Sequence, residues 1–554
     1  MLKLGALFYI ITLSLIIIVW YSLSSKNNSI HQLKALAIHD WSTSQLASSQ
    51  VPSSSWLVWT GQYPEKFKQL PITNVKRKQS GYFLHITDMH VDVDYLEGAT
   101  VQSVCHELPD LSISKKKKPS QLAGKYGTPG QRCDAPILLA EETLKWISKE
   151  WKDKLDFVIW TGDNAKHNWD KKHNKRKRRD VYELNQRVTE MMLETFWIHD
   201  KIPVVPSFGN NDVYPHNRIG GADTDGDLLM FYEQLWRAWI PLDQRSTFRQ
   251  GGGYFMVQVA PHLHVISLNT MYFYTKNRAV HNCLHPDSPA TVQFRWFEEQ
   301  LKWAQKHESG KEKIYVIGHV PPSPRDYKGT CMAEYLRLAT AYSDVILGHF
   351  FAHLNMDHFL LFDSRHNEDD DDKSAQTCNM TMVEGTADKD DDHELFHTNR
   401  DIESYLTWLR KMYEKIEPSD DKTSPPDSHA SLVAIQVAPS VLPVYYPSIR
   451  IYKYKTTPDD NEGNTTMTES KPYGALLSYS QYFANLTKWN TASDEEKNLE
   501  YEFEYSTAEA YHMKDLSPES FFELAKSMVT DSEKGHQLWS NFRNHMLVKT
   551  QTFE

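Results

Sequence analysis

Residues Phe157–His167 read FVIWTGDNAKH: four apolar residues of strand composition, then a polar Gly-Asp-Asn turn rich in metal-ligand chemistry. The arrangement recurs along the chain. Apolar runs at Tyr82–Ile86, Pro203–Phe208, His264–Leu268, Lys313–Ile317 and Val345–Phe351 each end in a polar cluster, and helical or loop segments separate them. Further strands are predicted at Leu432–Val437 and Ser448–Tyr454. Such alternation predicts an α/β fold (α+β layered), whose ligand site gathers beyond the carboxyl ends of the strands.

The strand ends carry a particular set of side chains. They are Asp88-Met89-His90, Gly162-Asp163-Asn164, Gly209-Asn210-Asn211-Asp212, Gly318-His319, and Gly348-His349 with His353 and Asn355 close behind. One such cluster means little, because an Asp or His at a strand end is more often a cap than a ligand. Five in order, each after an apolar run, point to one site. Carboxylates, imidazoles and neutral amide oxygens suit two hard or borderline cations a few Å apart. Asp163 is the candidate to bridge them. Asp88 and His90 share a face because alternate residues do, which suits a first metal, while Asn210 and His319 suit a second. The neutral amide of Asn210 adds a ligand without adding charge that would repel an anionic substrate. In the last cluster both His349 and His353 are candidates.

The chain has 554 residues, 40% hydrophobic and 12% aromatic, enough for one large core or two ordinary ones. Its net charge of -11 is concentrated in two acidic clusters, Glu368–Asp372 and Asp388–Glu394; without them the chain is close to neutral, so global charge says little about partners. Leu4–Leu23 is an uncharged run of membrane-spanning length, too long for a signal-peptide core and without a small-residue cleavage site. It predicts a signal-anchor with a cytosolic tail at residues 1–3 and everything after it lumenal. Glycosylation sequons at Asn27, Asn379, Asn464 and Asn485 all follow the anchor. Five cysteines without CxxC spacing argue against a zinc cage, and an oxidising compartment would permit two disulfides with one thiol left over.

The expected organisation is a Ser-rich stalk at 24–79, a catalytic domain at 80–455 interrupted by an acidic insertion at about 364–430, and a polar extension at 456–554. The insertion holds a helical island at Ile402–Ile416, and the extension ends in a helix opened by Ser517 and Pro518. Lys171, Lys172, Lys175, Arg176, Lys177, Arg178 and Arg179 form a basic run before the helical-looking Val181–His199, and Lys115–Lys118 form a second basic block. The run reads either as a solvated loop or as a landing strip for a phosphate-rich substrate.

The series ITDMHVD, WTGDNAKH, GNND, GHVPPS and HFFAHLNMDHF is similar to the acid-sphingomyelinase-like branch of the calcineurin-like metallophosphoesterases. GNND together with the HFFAHLNMDHF ending resembles the fungal vacuolar endopolyphosphatases. The similarity covers residues 80–360 and resumes at APSVLPVYYPSIRIYKY, Ala438–Tyr454. It implies a metallophosphatase-type β-sandwich flanked by helices, with two divalent ions (Mn, Mg, Co, Zn or Fe) activating water for in-line attack on phosphorus. It also implies inorganic polyphosphate as substrate, cut internally, and a single-pass type II protein of a vacuole- or lysosome-like membrane. No nucleic acid partner is expected, and a homo-oligomer is compatible.

Carried over residue by residue, the resemblance gives Asp88 and His90 to one metal, Asp163 to both, and Asn210 and His319 to the other. Aligning Phe350-Phe351 and Asp357 places His353 at the first histidine of the family's GHxH motif and Asn355 at the second, with His349 as the alternative. Asn355 departs from the pattern. So does Asn211, which stands where the family's GNHE has a histidine facing the scissile phosphate. His167 matches a histidine near the leaving group and is the candidate general acid. Loss of the usual histidine is easier to tolerate at a phosphoanhydride, since a phosphate with a second pKa of about 6 leaves readily. The rivals are a sphingomyelinase-like phosphodiesterase or nucleotidase, although no saposin-like run of paired cysteines precedes the domain, and a membrane-anchored binding protein that kept the fold without catalysis.

Overall fold

The computed structural model describes residues 80–110, 121–171, 174–363, 402–416, 432–457, 471–492 and 498–550. The strands are β1 Ser80–Ile86, β2 Val91–Asp92, β3 Ala135–Pro136, β4 Phe157–Trp160, β5 Val204–Pro206, β6 Phe255–Ala260, β7 Leu263–Ser267, β8 Lys313–Ile317, β9 Ile346–Phe351, β10 His358–Asp363, β11 Leu432–Val437, β12 Ser448–Lys455, β13 Leu476–Phe483 and β14 Glu502–Ser506. The main helices are α1 Ile137–Glu150, α2 Arg178–Met192, α3 Ala222–Leu235, α4 Pro289–Lys306, α5 Gly329–Ala341, α6 Ile402–Lys415, α7 Pro518–Val529 and α8 Glu533–Met546.

Two six-stranded sheets form, in the orders β14-β13-β12-β1-β4-β5 and β10-β11-β9-β8-β7-β6. In the first, β1, β4 and β5 run parallel; in the second, β7, β8, β9 and β11 do. Parallel strands are covered on both faces, which is why FVIW at 157–160 is apolar throughout and buried throughout. The sheets meet through aromatic rings. Phe83 on β1 stacks on Phe157 at 4.7 Å and Tyr452 at 4.8 Å within its own sheet, and touches Tyr315 and Phe350 of the other sheet, both at 5.5 Å. Removing such a ring costs about 3–5 kcal/mol.

Beyond 455 the structure departs from the expected organisation. β12 pairs with β13 and β13 with β14, so residues after 456 complete the first sheet rather than extend a finished domain. β13, LLSYSQYF, reads as polar because from Ser478 on it alternates half-buried and buried positions, with the polar Gln481 among the buried ones. Ser517 does cap α7, accepting a hydrogen bond from Ser520 N, with Pro518 in the first turn. Helices α6, α7 and α8 cover β10: Phe359 packs on Tyr413 at 4.8 Å, Phe521 at 4.8 Å and Phe542 at 5.7 Å. The helix expected at Val181–His199 begins earlier, at Arg178, and closes in a π-helical turn, Leu193–Trp197, that buries Phe196 and Trp197.

Disulfides join Cys105 to Cys133 and Cys283 to Cys331. The expected anchor at Leu4–Leu23, the stalk, Cys378, Lys172, both acidic clusters and the sequons at Asn27, Asn379 and Asn464 lie outside the described residues. Among the described residues no helix is long and apolar enough to cross a membrane. Asn485 is at the N-cap of a short helical turn, where its Oδ1 accepts from Lys488 N at 3.1 Å.

Candidate metal centre

The carboxyl ends of β1, β4, β5, β8 and β9 deliver their side chains to one buried place. Asp163 Oδ2 lies 3.4 Å from His90 Nε2 and 3.2 Å from His319 Nε2. His90 Nε2 is also 3.6 Å from Asp88 Oδ1. On the other side His319 Nε2 stands 2.9 Å from Asn210 Oδ1 and 3.2 Å from His353 Nδ1. Two donor groups result, Asp88 with His90 and Asp163, and Asp163 with His319 and His353; within each, donor atoms lie within 4.8 Å of one another. Asp163 belongs to both.

The backbone reaches this arrangement through unusual conformations. Asp88, His90, Asp163, His353 and Asn355 all have left-handed φ, at 48°, 39°, 55°, 72° and 56°. Each non-glycine residue there costs about 1–3 kcal/mol and persists only where surroundings over-determine it. They do so here. Asp88, His90 and Val91 donate their N–H groups to the carbonyls of Gly162, Asp163 and Asn164, lacing the first two loops together. The buried Asp212 carboxylate accepts from the N–H groups of Asp163, Asn164 and Gly209 at 2.8, 2.8 and 2.9 Å. Gly162, with φ of 87°, lies so close to Gly209 that a Cβ on either would strike the other turn.

Burial alone would raise the Asp163 carboxyl, but the His319 and His90 imidazoles and the Asn211 amide hold it well below the usual carboxylate range. Burial would lower His319, yet Asp163 beside it raises that imidazole to about 9. For His353, burial and then the His319 charge push the imidazole well below its usual value. Asp88 Oδ1, His90 Nε2 and both amide atoms of Asn355 are buried with no hydrogen-bond partner. Leaving such groups unsatisfied costs about 1–3 kcal/mol each. Lone pairs of this kind, on carboxylate, imidazole and amide, fit divalent cations.

His167 is placed beside this cluster, stacked between His90 at 4.2 Å and Trp169 at 4.0 Å. Its Nδ1 lies 2.7 Å from Asp134 Oδ1, and its N–H donates to Asp134 Oδ2 at 3.0 Å. Asp134 was not singled out in the sequence. Its neighbour Cys133, tied to Cys105, places it, and nothing in the local sequence announces that. Asp134, His167 and His90 also offer donor atoms within 4.8 Å of one another.

Three sequence expectations meet a different geometry. His349 lies within β9, and its Nδ1 is 2.7 Å from Tyr335 Oη on α5, so it serves the core rather than the cluster. Asn211 turns inward: its N and Nδ2 donate to Asp163 Oδ1 and Oδ2 at 2.7 and 2.9 Å. The basic run is not uniformly solvated. Lys171, Lys175, Lys177, Arg178 and Arg179 are exposed, while Arg176 is buried.

The family model of the calcineurin-like phosphoesterases matches residues 81–354, and that of the acid sphingomyelin phosphodiesterase C-terminal region matches residues 433–550. The chain belongs to the calcineurin-like phosphoesterases. In this phosphoesterase the first match runs from β1 to the loop of His353, one residue short of Asn355, and the second supplies most of β11, all of β12 to β14, and α7 and α8. Among curated relatives, it is 30% identical to an endopolyphosphatase of Saccharomyces cerevisiae, over 75% of this chain and 66% of the relative. It is 34% identical to an endopolyphosphatase of Cryptococcus neoformans, over 70% and 60%, and 39% identical to one of Debaryomyces hansenii, over 51% and 39%. The phosphoesterase thus spans less than two thirds of the length of these relatives. Among solved structures, an NAD nucleotidase of Haemophilus influenzae aligns with 84% of this chain and 60% of its own at 11% identity, with a TM-score of 0.26, too low to carry an argument.

Proposed function

We propose that this phosphoesterase is an endopolyphosphatase, hydrolysing internal phosphoanhydride bonds of inorganic polyphosphate. The observation that carries the reading is the Asp163 carboxylate shared by two buried donor groups, in a chain whose relatives bear that name. Asp88, His90 and Asn355 would hold one divalent ion and Asn210, His319 and His353 a second, with Asp163 common to both. Bound there, the ions supply Lewis acidity and an activated water at phosphorus. His167, oriented through Nδ1 by Asp134, presents Nε2 to the leaving oxygen as general acid. Asn211 turns its backbone N–H and its Nδ2 to Asp163, and as an amide it has no proton to give a leaving group. A leaving phosphate with a second pKa of about 6 tolerates that loss better than an alkoxide would. Exposed Lys171, Lys175, Lys177, Arg178 and Arg179 attract the polyanion.

Leu4–Leu23 would anchor the protein in a vacuole- or lysosome-like membrane with its catalytic domain lumenal, and Asn27, Asn379, Asn464 and Asn485 would carry glycans. The test of activity is to incubate the purified protein with long-chain polyphosphate, a nucleoside triphosphate and a choline phosphodiester, each with and without chelator. The expected result is a chelator-sensitive ladder of intermediate-length polyphosphates on a gel. Preference for the choline diester, or release of terminal phosphate alone, would overturn it.

A further inference from the structure

Arg176 sits between exposed Lys175 and Lys177, yet it is only 2% exposed. Its backbone N–H donates to Asn168 Oδ1 at 2.8 Å, which turns the run inward at this residue. Its Nη1 then donates to Lys166 O at 2.8 Å, Asn211 O at 3.0 Å and Asn211 Oδ1 at 3.2 Å. The first two bonds would suit any buried arginine that satisfies carbonyls. The third does more. A guanidinium has donors and no acceptor, so it fixes which end of the Asn211 amide faces it. Oδ1 faces Arg176, and Nδ2 therefore faces Asp163 Oδ2 at 2.9 Å. With the amide flipped, its oxygen would confront the carboxylate and the bond would become a repulsion.

We propose that Arg176 is a positioning residue of the metal centre, locking the Asn211 amide so that its Nδ2 joins the Asn211 backbone N–H in donating to the Asp163 carboxylate shared by the two donor groups. The effect runs Arg176 to Asn211 to Asp163, and it ties the GDNAKH loop, through Lys166 O, to the GNND loop. Within the basic run, one residue thus organises the site while its neighbours face solvent. The inference rests on the metal-dependent reading of that site. Residues that orient ligands from behind typically change metal affinity about 10–100-fold when removed.

The experiment titrates Mn²⁺ calorimetrically into the chelator-stripped full chain, wild type against Arg176→Met, Arg176→Lys, Asn211→Leu and the Arg176→Met/Asn211→Leu pair. Thermal unfolding in chelator is recorded alongside as a measure of fold alone. Arg176→Met is expected to weaken Mn²⁺ binding about 10–100-fold, Arg176→Lys to weaken it less, and the double variant to bind no worse than Asn211→Leu. Lys306→Met, which removes an exposed charge at the end of α4, should bind Mn²⁺ as wild type does. Wild-type affinity in both Arg176 variants would overturn the inference and leave the metal reading standing. So would a double variant whose loss is the sum of the single losses, because Arg176 would then act independently of Asn211. Should Arg176→Met not fold, Arg176→Lys decides, with unchanged affinity counting against the inference. Failure of the wild type to bind Mn²⁺ would overturn the metal reading itself, and the inference with it.

Discussion

Nε2 of His319 stands 3.2 Å from Oδ2 of Asp163, and both side chains are fully buried. The same oxygen is 3.4 Å from His90 Nε2, so one negative charge serves two donor groups. Asp163→Asn keeps the shape and removes the charge. The variant is expected to keep its fold by circular dichroism, to retain fewer than two divalent ions after gel filtration, and to lose activity by roughly a hundredfold or more, as removal of a metal-site group typically does. Two retained ions and full turnover would refute the shared role.

Asp134 is the partner that orients His167, at 2.7 Å from its Nδ1. Asp134→Asn is expected to lower kcat on long polyphosphate about 10–100-fold while KM changes little, because general acid catalysis is worth about 10²–10⁴ and the leaving group here is a good one. Metal content should be unchanged. An ion lost in Asp134→Asn would instead assign Asp134, His167 and His90 to a metal, as their grouping also permits.

Exposed Lys171, Lys175, Lys177, Arg178 and Arg179 should guide long polyanions through many weak contacts in water. Such attraction is screened as the Debye length falls to about 8 Å at physiological ionic strength. Replacing these five residues by glutamine, with Arg176 kept, should raise KM for long chains, flatten its salt dependence and leave a short phosphoanhydride nearly unaffected. Equal losses on long and short substrates would mean that the run supports the fold.

His349 and His353 separate by metal and by acid. His353→Ala should weaken metal binding, since its Nδ1 is 3.2 Å from His319 Nε2, whereas His349→Gln should not. Burial lowers His349 from its ordinary 6.5 to about 3. A folded-state value below the unfolded one means that the contribution is complete above 6.5 and is lost as pH falls toward 3. Between pH 7 and about pH 4.5 the wild type is therefore expected to lose about 2–3 kcal/mol through this residue. The difference between urea midpoints at the two pH values should shrink in His349→Gln, the remainder belonging to other buried histidines such as His85 and His358; an unchanged difference would show that His349 does not contribute.

The layered α/β core and the donor residues are written locally in the chain. An apolar run such as FVIW at 157–160 declares a strand buried on both faces, and the turn after it, GDN, declares what that strand presents, so β1, β4, β5, β8 and β9 and their ligand types are legible without a structure. Contacts between distant segments are another matter. That Asp134 meets His167, that Asn211 spends its amide on Asp163, and that Arg176 leaves an exposed basic run to hold Asn211 depend on which loops the two sheets bring side by side. That His349 meets Tyr335 while His353 lies beside His319 likewise depends on partners that sequence spacing does not reveal. β13 and β14, which bury the polar Gln481, Glu504 and Ser506, became strands because β12 offers its edge to β13 and β13 offers its own to β14. Side-chain type and strand pattern follow from each segment's own chemistry, while orientation and partner follow from the packing of segments far apart in sequence.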